Sequence, residues 1–124
     1  MSNCADDAKT LDFGASVLNI TNLSVDYTYG AYVDFFNEDG SAMPITGDDF
    51  RMEIRNSAGV LVETLTLTGG IAGGGLEISG TNRLNFKIGT GTTGTAGVYD
   101  FKIIIITAAY GDENPIVEGK IKVS

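Results

Sequence analysis

Histidine and tryptophan are missing from this chain, cysteine occurs once and proline twice. Without histidine, the side chain most often used for proton transfer near neutral pH is gone. The single cysteine, Cys4, excludes an internal disulfide, and its polar N-terminal setting reads as that of an inert thiol. Positive charge is scarce: 8 Lys and Arg against 16 Asp and Glu leave a net charge of -8. No basic patch is available to displace counterions from nucleic acid, and docking on an anionic membrane is disfavoured on the same ground. No apolar run nears the ~20 residues of a membrane-spanning helix. The N-terminus has no basic stretch followed by an apolar core, so no secretory leader is expected. The sequons Asn19-Ile20-Thr21 and Asn22-Leu23-Ser24 therefore carry little weight.

What is present points to a small folded domain. A chain of 124 residues suits one domain, and 43% hydrophobic with 19% charged residues is an ordinary globular balance. Glycine is abundant, at 17 residues, and it accompanies threonine and branched aliphatics. That combination suggests short strands joined by tight turns. Residues 1–10 carry too little apolar area to fold alone and read as a flexible arm, leaving 11–124 as the single domain.

The strand signals follow one another with turn chemistry between them. Leu11 to Ser24 fits one or two strands, and Ala31 to Phe36 another. Asn37-Glu38-Asp39-Gly40 is a turn, since Asn and Asp bond their own backbone and Gly accepts positive φ. Phe50, Met52 and Ile54 alternate with Asp49, Arg51, Glu53 and Arg55 in the clearest period-two pattern of the chain. Asn56 to Gly59 reverses the direction, and residues 60–67 return as the second arm of a hairpin. Leu76 and Ile78, then Leu84, Phe86 and Ile88, begin two further strands. Gly89 to Gly97 reads as a Gly/Thr-rich loop, followed by a long strand over 98–107 and a last one over 115–123. No segment of ten residues keeps a helical period. The expected fold is all-β: an antiparallel β-sandwich of seven to nine strands, with a closed barrel as the alternative.

Catalytic chemistry is not visible. The acidic pairs Asp6/Asp7, Glu38/Asp39, Asp48/Asp49 and Asp112/Glu113 lie at turns or in the arm, where such residues serve backbone geometry rather than calcium. They offer no cleft in which one acid is desolvated for glycoside cleavage. The Gly69–Gly75 run lacks the Lys-Ser/Thr ending of a phosphate cradle. No enzyme activity, cofactor or metal is expected.

Two surfaces are candidates for binding. In the 98–107 strand, Tyr99, Phe101, Ile103 and Ile105 share one face, while Asp100 and Lys102 mark the other as solvated. Ile104 and Ile106 put branched apolar groups on that solvated face. If this strand pairs with the last one, Ile116 joins them in an outward patch. The cover is then either the chain's own N-terminal part or another subunit. Ile104, Ile106 and Ile116 are thus the expected interface residues of a homo-oligomer. Tyr27, Tyr29 and Tyr32 are the alternative: a cluster of rings on which sugars stack, as in a carbohydrate-binding or adhesion module.

Several of these segments also occur together in a known class. They are Asp39-Gly40, Ile45-Thr46-Gly47, Phe50-Arg51-Met52-Glu53-Ile54-Arg55 and Val62-Glu63-Thr64-Leu65, then Gly97-Val98-Tyr99-Asp100-Phe101 and Glu118-Gly119-Lys120-Ile121-Lys122-Val123. In this order the chain resembles the small β-sandwich structural proteins of tailed bacteriophages and prophages. It is similar in kind to the N-terminal attachment domain of siphophage upper baseplate proteins. The resemblance spans roughly residues 15–124. It implies an Ig-like sandwich acting as an attachment, adaptor or decoration part on a tail, baseplate, neck or capsid. It also implies packing in symmetric copies against other virion proteins and a place in the virion after synthesis in the bacterial cytoplasm. It brings no catalytic residue with it. The long threonine-rich 89–97 loop replaces what in the class is often a short helical or Leu-containing turn.

Overall fold

The alternation at Asp49–Arg55 gives this strand, β4, one buried and one outward side: Phe50, Met52 and Ile54 are buried and the charged residues between them face out. The computed structural model describes residues 16–68, 70–107 and 113–124. The arm read at 1–10, with Leu11 and Phe13, lies outside them. The remaining strands are β1 (Ser16–Val17), β2 (Ile20–Leu23), β3 (Tyr29–Asp34), β5 (Leu61–Thr66), β6 (Gly75–Ser79), β7 (Arg83–Ile88), β8 (Gly97–Ile106) and β9 (Glu113–Val123). One sheet has the order β1-β9-β8-β4-β5, with β2 also on β9, and the other has the order β3-β7-β6. Leu65, Phe101, Ile103, Ile105 and Ile121 of the first sheet pack in one core with Leu76, Leu84, Phe86 and Ile88 of the second.

Two separate sheets with open edges make a sandwich and not a barrel. β3 skips its neighbour in sequence to pair with β7, and β4 pairs with β8, all antiparallel. Hence the consecutive strands β3 and β4 occupy different layers. The order β9-β8-β4-β5 opposite β3-β7-β6 is that of strands G-F-C-C′ opposite B-E-D in an immunoglobulin-like sandwich. A second mark of that fold stands at the start of β8. The Tyr99 hydroxyl donates to the Thr95 carbonyl at 2.6 Å, the corner contact such domains make where strand E passes to strand F. Two residues on, where antibody domains carry a disulfide cysteine, Phe101 is buried and fills the space with its ring.

Four local expectations need correction. First, the sandwich is not wholly antiparallel: β1 and β2 run parallel to β9. Gly119 permits this, because a Cβ there would collide with the Leu18 carbonyl, while the Leu18 amide donates to the Glu118 carbonyl at 2.9 Å. Second, the 89–97 connection holds a one-turn helix, α1 (Thr90–Thr93), too short to leave a periodic signal. Third, Ile116 is not on the outer face. The β8–β9 register slips after Ile103, so that Ile103 pairs with Val117 and Ile104 with Pro115. Ile116 is the extra residue of this bulge and turns into the core with Val117. Fourth, Ile104 does face outward, yet it is only 7% exposed. Its neighbours are Arg51 on β4 and Pro115 on β9. The chain shelters Ile104 and Ile116 itself, so the three-isoleucine patch does not form, and Ile106 alone keeps partial exposure.

Candidate interaction face

The outward side of β4, β8 and β9 carries charges in a regular order. Every second residue of a strand points the same way, so the pairing register sets rows across the sheet. One row reads Glu53, Lys102, Glu118. The next reads Arg55, Asp100, Lys120. Each charge therefore has an opposite charge beside it on the neighbouring strand and along its own strand, an arrangement that stabilises cross-strand pairs. Lys120 Nζ lies 2.6 Å from Asp100 Oδ1, and Arg55 Nη2 lies 3.5 Å from Glu53 Oε1. A groove of about 330 Å³ runs between these side chains, with Phe101 and Gly119 at its base and Asn19 at its rim. Asn19 Oδ1 accepts from the Lys120 amide at 3.2 Å, fixing the N-terminal strand beside the groove.

Beyond the first row stand Arg51, Ile104 and Pro115, then Asp49, Ile106 and Glu113. Arg51 reaches over β8: its Nη2 is 2.7 Å from Glu113 Oε1 and its Nε is 2.8 Å from Glu53 Oε2. The hydrogen bond from Arg51 holds the Glu113 carboxyl below the usual carboxylate range, and Glu113 in return raises the Arg51 guanidinium. At the opposite end of the face, Val98 is 46% exposed beside Lys122. Five of the chain's 8 Lys and Arg (Arg51, Arg55, Lys102, Lys120 and Lys122) thus lie on this one face, matched by Asp49, Glu53, Asp100, Glu113 and Glu118. The face is electrically neutral, and the net charge of -8 belongs to the rest of the chain.

The three tyrosines do not share a platform. Tyr29 faces inward and packs on the core, Tyr27 projects from the turn before β3, and Tyr32 faces outward from the smaller sheet. Arg83 covers one side of the Tyr32 ring, 3.8 Å from its centroid, and forms a two-pronged pair with Asp34 at 2.8 and 3.0 Å. That pair lowers the Asp34 carboxyl and raises Arg83. Of the acidic pairs, Asp39 accepts from the Ser41 amide and hydroxyl at 2.9 and 2.6 Å, and Glu113 is held by Arg51. Asp6, Asp7 and Asp112 lie outside the described residues. Among the described residues, no three His, Cys, Asp or Glu side chains gather around a metal-sized space, and no helix is long and apolar enough to cross a membrane.

Sequence reading missed the charged face. Its signal was present as sign alternation along Arg51-Glu53-Arg55, Asp100-Lys102 and Glu118-Lys120. Only strand pairing sets these three segments side by side.

No protein-family model matches the chain, and no curated protein does. Among solved structures it is similar to a chain of the ZIG-8–RIG-5 IG1–IG1 heterodimer, at 12% identity and TM-score 0.44, covering 95% of this chain and 90% of that one. It is also similar to the ZIG-8 IG1 homodimer, at 10% identity and TM-score 0.40, covering 94% and 86%. A family 123 glycoside hydrolase from Clostridium perfringens matches at 10% identity and TM-score 0.39, over 91% of this chain but 24% of that enzyme. At these values the likeness stops at the backbone and bears on no activity or partner.

Proposed function

We propose that this immunoglobulin-like domain is a non-enzymatic binding and assembly module that works through the outer face of β4, β8 and β9. One observation carries the reading: an acidic chain collects five of its 8 cations on a single sheet face and neutralises it there. A neutral, charge-patterned face lets another polypeptide approach without the repulsion that the remaining surface imposes, and its pattern selects the partner. The absence of histidine and of any nucleophile motif in the sequence supports a role without catalysis. The finer reading, a structural protein of a tailed-phage virion acting as an attachment, adaptor or decoration part, rests on the sequence resemblance from Asp39-Gly40 to the closing Glu118–Val123 strand. The sugar-binding alternative has lost its cluster of rings, because Tyr29 packs inward.

Mass spectrometry of gradient-purified particles tests the virion reading. The chain is expected at stoichiometric level among the particle proteins, and particles that lack it overturn that reading. Cross-linking within such particles should place Lys102, Lys120 or Lys122 next to the neighbouring protein. Links that avoid all three contradict the assignment of the face.

A further inference from the structure

The two central rows are mirror images in sign. Glu53, Lys102, Glu118 reads minus, plus, minus, and Arg55, Asp100, Lys120 reads plus, minus, plus. Such a pattern can be complementary to itself, and the symmetry that makes it so is specific. A two-fold axis running along β8 would set Lys102 over its own copy and Glu53 over Glu118, like charge on like. An axis in the plane of the face, perpendicular to the strands and between the two rows, keeps each strand above its own counterpart and exchanges the rows. Glu53 then meets Arg55 of the second copy, Lys102 meets Asp100, and Glu118 meets Lys120, each contact occurring twice.

We infer that this face docks on a second copy of the same chain through that two-fold axis. The inference rests on the assembly reading above and names its partner. In the flanking row Val98, which the chain leaves 46% exposed, comes to lie over the Arg51 side chain that shelters Ile104 of the second copy. The lysine and arginine side chains of one copy enter the groove of the other, which measures about 330 Å³. Three strands about 4.8 Å apart and four overlapping rows about 6.8 Å apart offer roughly 400 Å² per copy. Both copies together bury about 800 Å², the size of a weak, transient contact, so the dimer is reversible and forms only at high concentration. Its contacts are mainly ionic, so it weakens with salt.

Sedimentation equilibrium on the full chain, from about 1 to 500 µM in about 20 mM and about 1 M salt, tests this. A monomer–dimer equilibrium is expected in low salt, with at least tenfold weaker association in high salt. Lys102→Glu alone and Asp100→Lys alone should each weaken the dimer at least tenfold, with unchanged circular dichroism. Mixed together they should form a heterodimer, since each Asp100–Lys102 contact is then restored or inverted. Lys87→Glu, on the outer side of the smaller sheet, makes the same charge change as Lys102→Glu and should leave association intact. A wild type that stays monomeric throughout, a mixture without heterodimer, or equal damage from Lys87→Glu overturns the dimer. A monomer that still cross-links to a virion protein through Lys102 or Lys120 leaves the assembly reading standing and removes only the self-association.

Discussion

Glu63 holds Thr92 by two hydrogen bonds: its Oε1 accepts from the Thr92 hydroxyl at 2.7 Å and from the Thr92 amide at 3.1 Å. Its Oε2 accepts from the Gly89 amide at 3.0 Å. The N-cap position of α1 is Gly89, which has no side chain to cap with, so a carboxylate from β5 takes the Gly89 amide and shares the Thr92 amide with the Gly89 carbonyl. Thr92 and Thr93 are fully buried behind it. Glu63→Ala should therefore lower unfolding free energy by about 2 kcal/mol in urea titration, because buried donors lose their acceptor. Glu63→Gln retains one carbonyl acceptor and should cost about half as much. Equal, negligible losses for both would show that the turn is held otherwise.

The Tyr99–Thr95 contact and the Phe101 ring stabilise the same corner by different means. Tyr99→Phe removes one hydrogen bond of 2.6 Å and should cost about 1 kcal/mol. Phe101→Ala empties a buried volume between the sheets and should cost about 3–5 kcal/mol. Chemical denaturation of the two variants in parallel measures the ratio. A Phe101→Ala loss no larger than that of Tyr99→Phe would mean the ring is not a core element.

The bulge at Ile116 gives it a different role from Ile106 on the adjacent strand. Ile116→Ala should destabilise by about 2–4 kcal/mol, as a core truncation does. Ile106→Ala, on the half-covered outer end, should cost about 1 kcal/mol or less. Thermal melts of the two proteins distinguish them, and the reverse order would place Ile116 at the surface.

Acid should weaken the fold in a defined sense. The folded state holds Glu113 below its ordinary range through Arg51, Asp34 through Arg83, and Asp39 through Ser41. A depressed carboxyl contributes stability that is present above its unfolded value and is lost as pH falls through its folded value. Melting temperature should thus hold near neutral pH and decline as pH drops through and below the ordinary carboxylate range. Glu113 and Asp39 are exposed and Asp34 is only partly covered, so each contributes modestly. Glu113→Gln should flatten part of the decline, since the amide does not titrate. A melting temperature that rises on acidification would contradict the assignment.

Much of the fold was legible in the chain itself. Phe50, Met52 and Ile54, and likewise Leu84, Phe86 and Ile88, announce half-buried strands because side-chain direction alternates at every residue. The Asn56–Gly59 reversal was equally plain, since Gly59 takes a φ of 82° that other residues resist. The inward turn of Ile116 was hidden, because a bulge is decided by the partner strand and not by the bulged residue's own pattern. The parallel run of β1 and β2 beside β9 was hidden as well, for it depends on Gly119 meeting Leu18 about a hundred residues away in sequence.

The division follows from the range of the forces. The order of side chains along the backbone determined which residues of each strand face the core and which face water, because that alternation is a property of a few consecutive peptide units. Which strands became neighbours, and in what register, was decided only when distant segments packed. The rows Glu53-Lys102-Glu118 and Arg55-Asp100-Lys120 exist at that second level alone: three separate runs of alternating sign became a two-dimensional pattern when β4, β8 and β9 came to lie side by side.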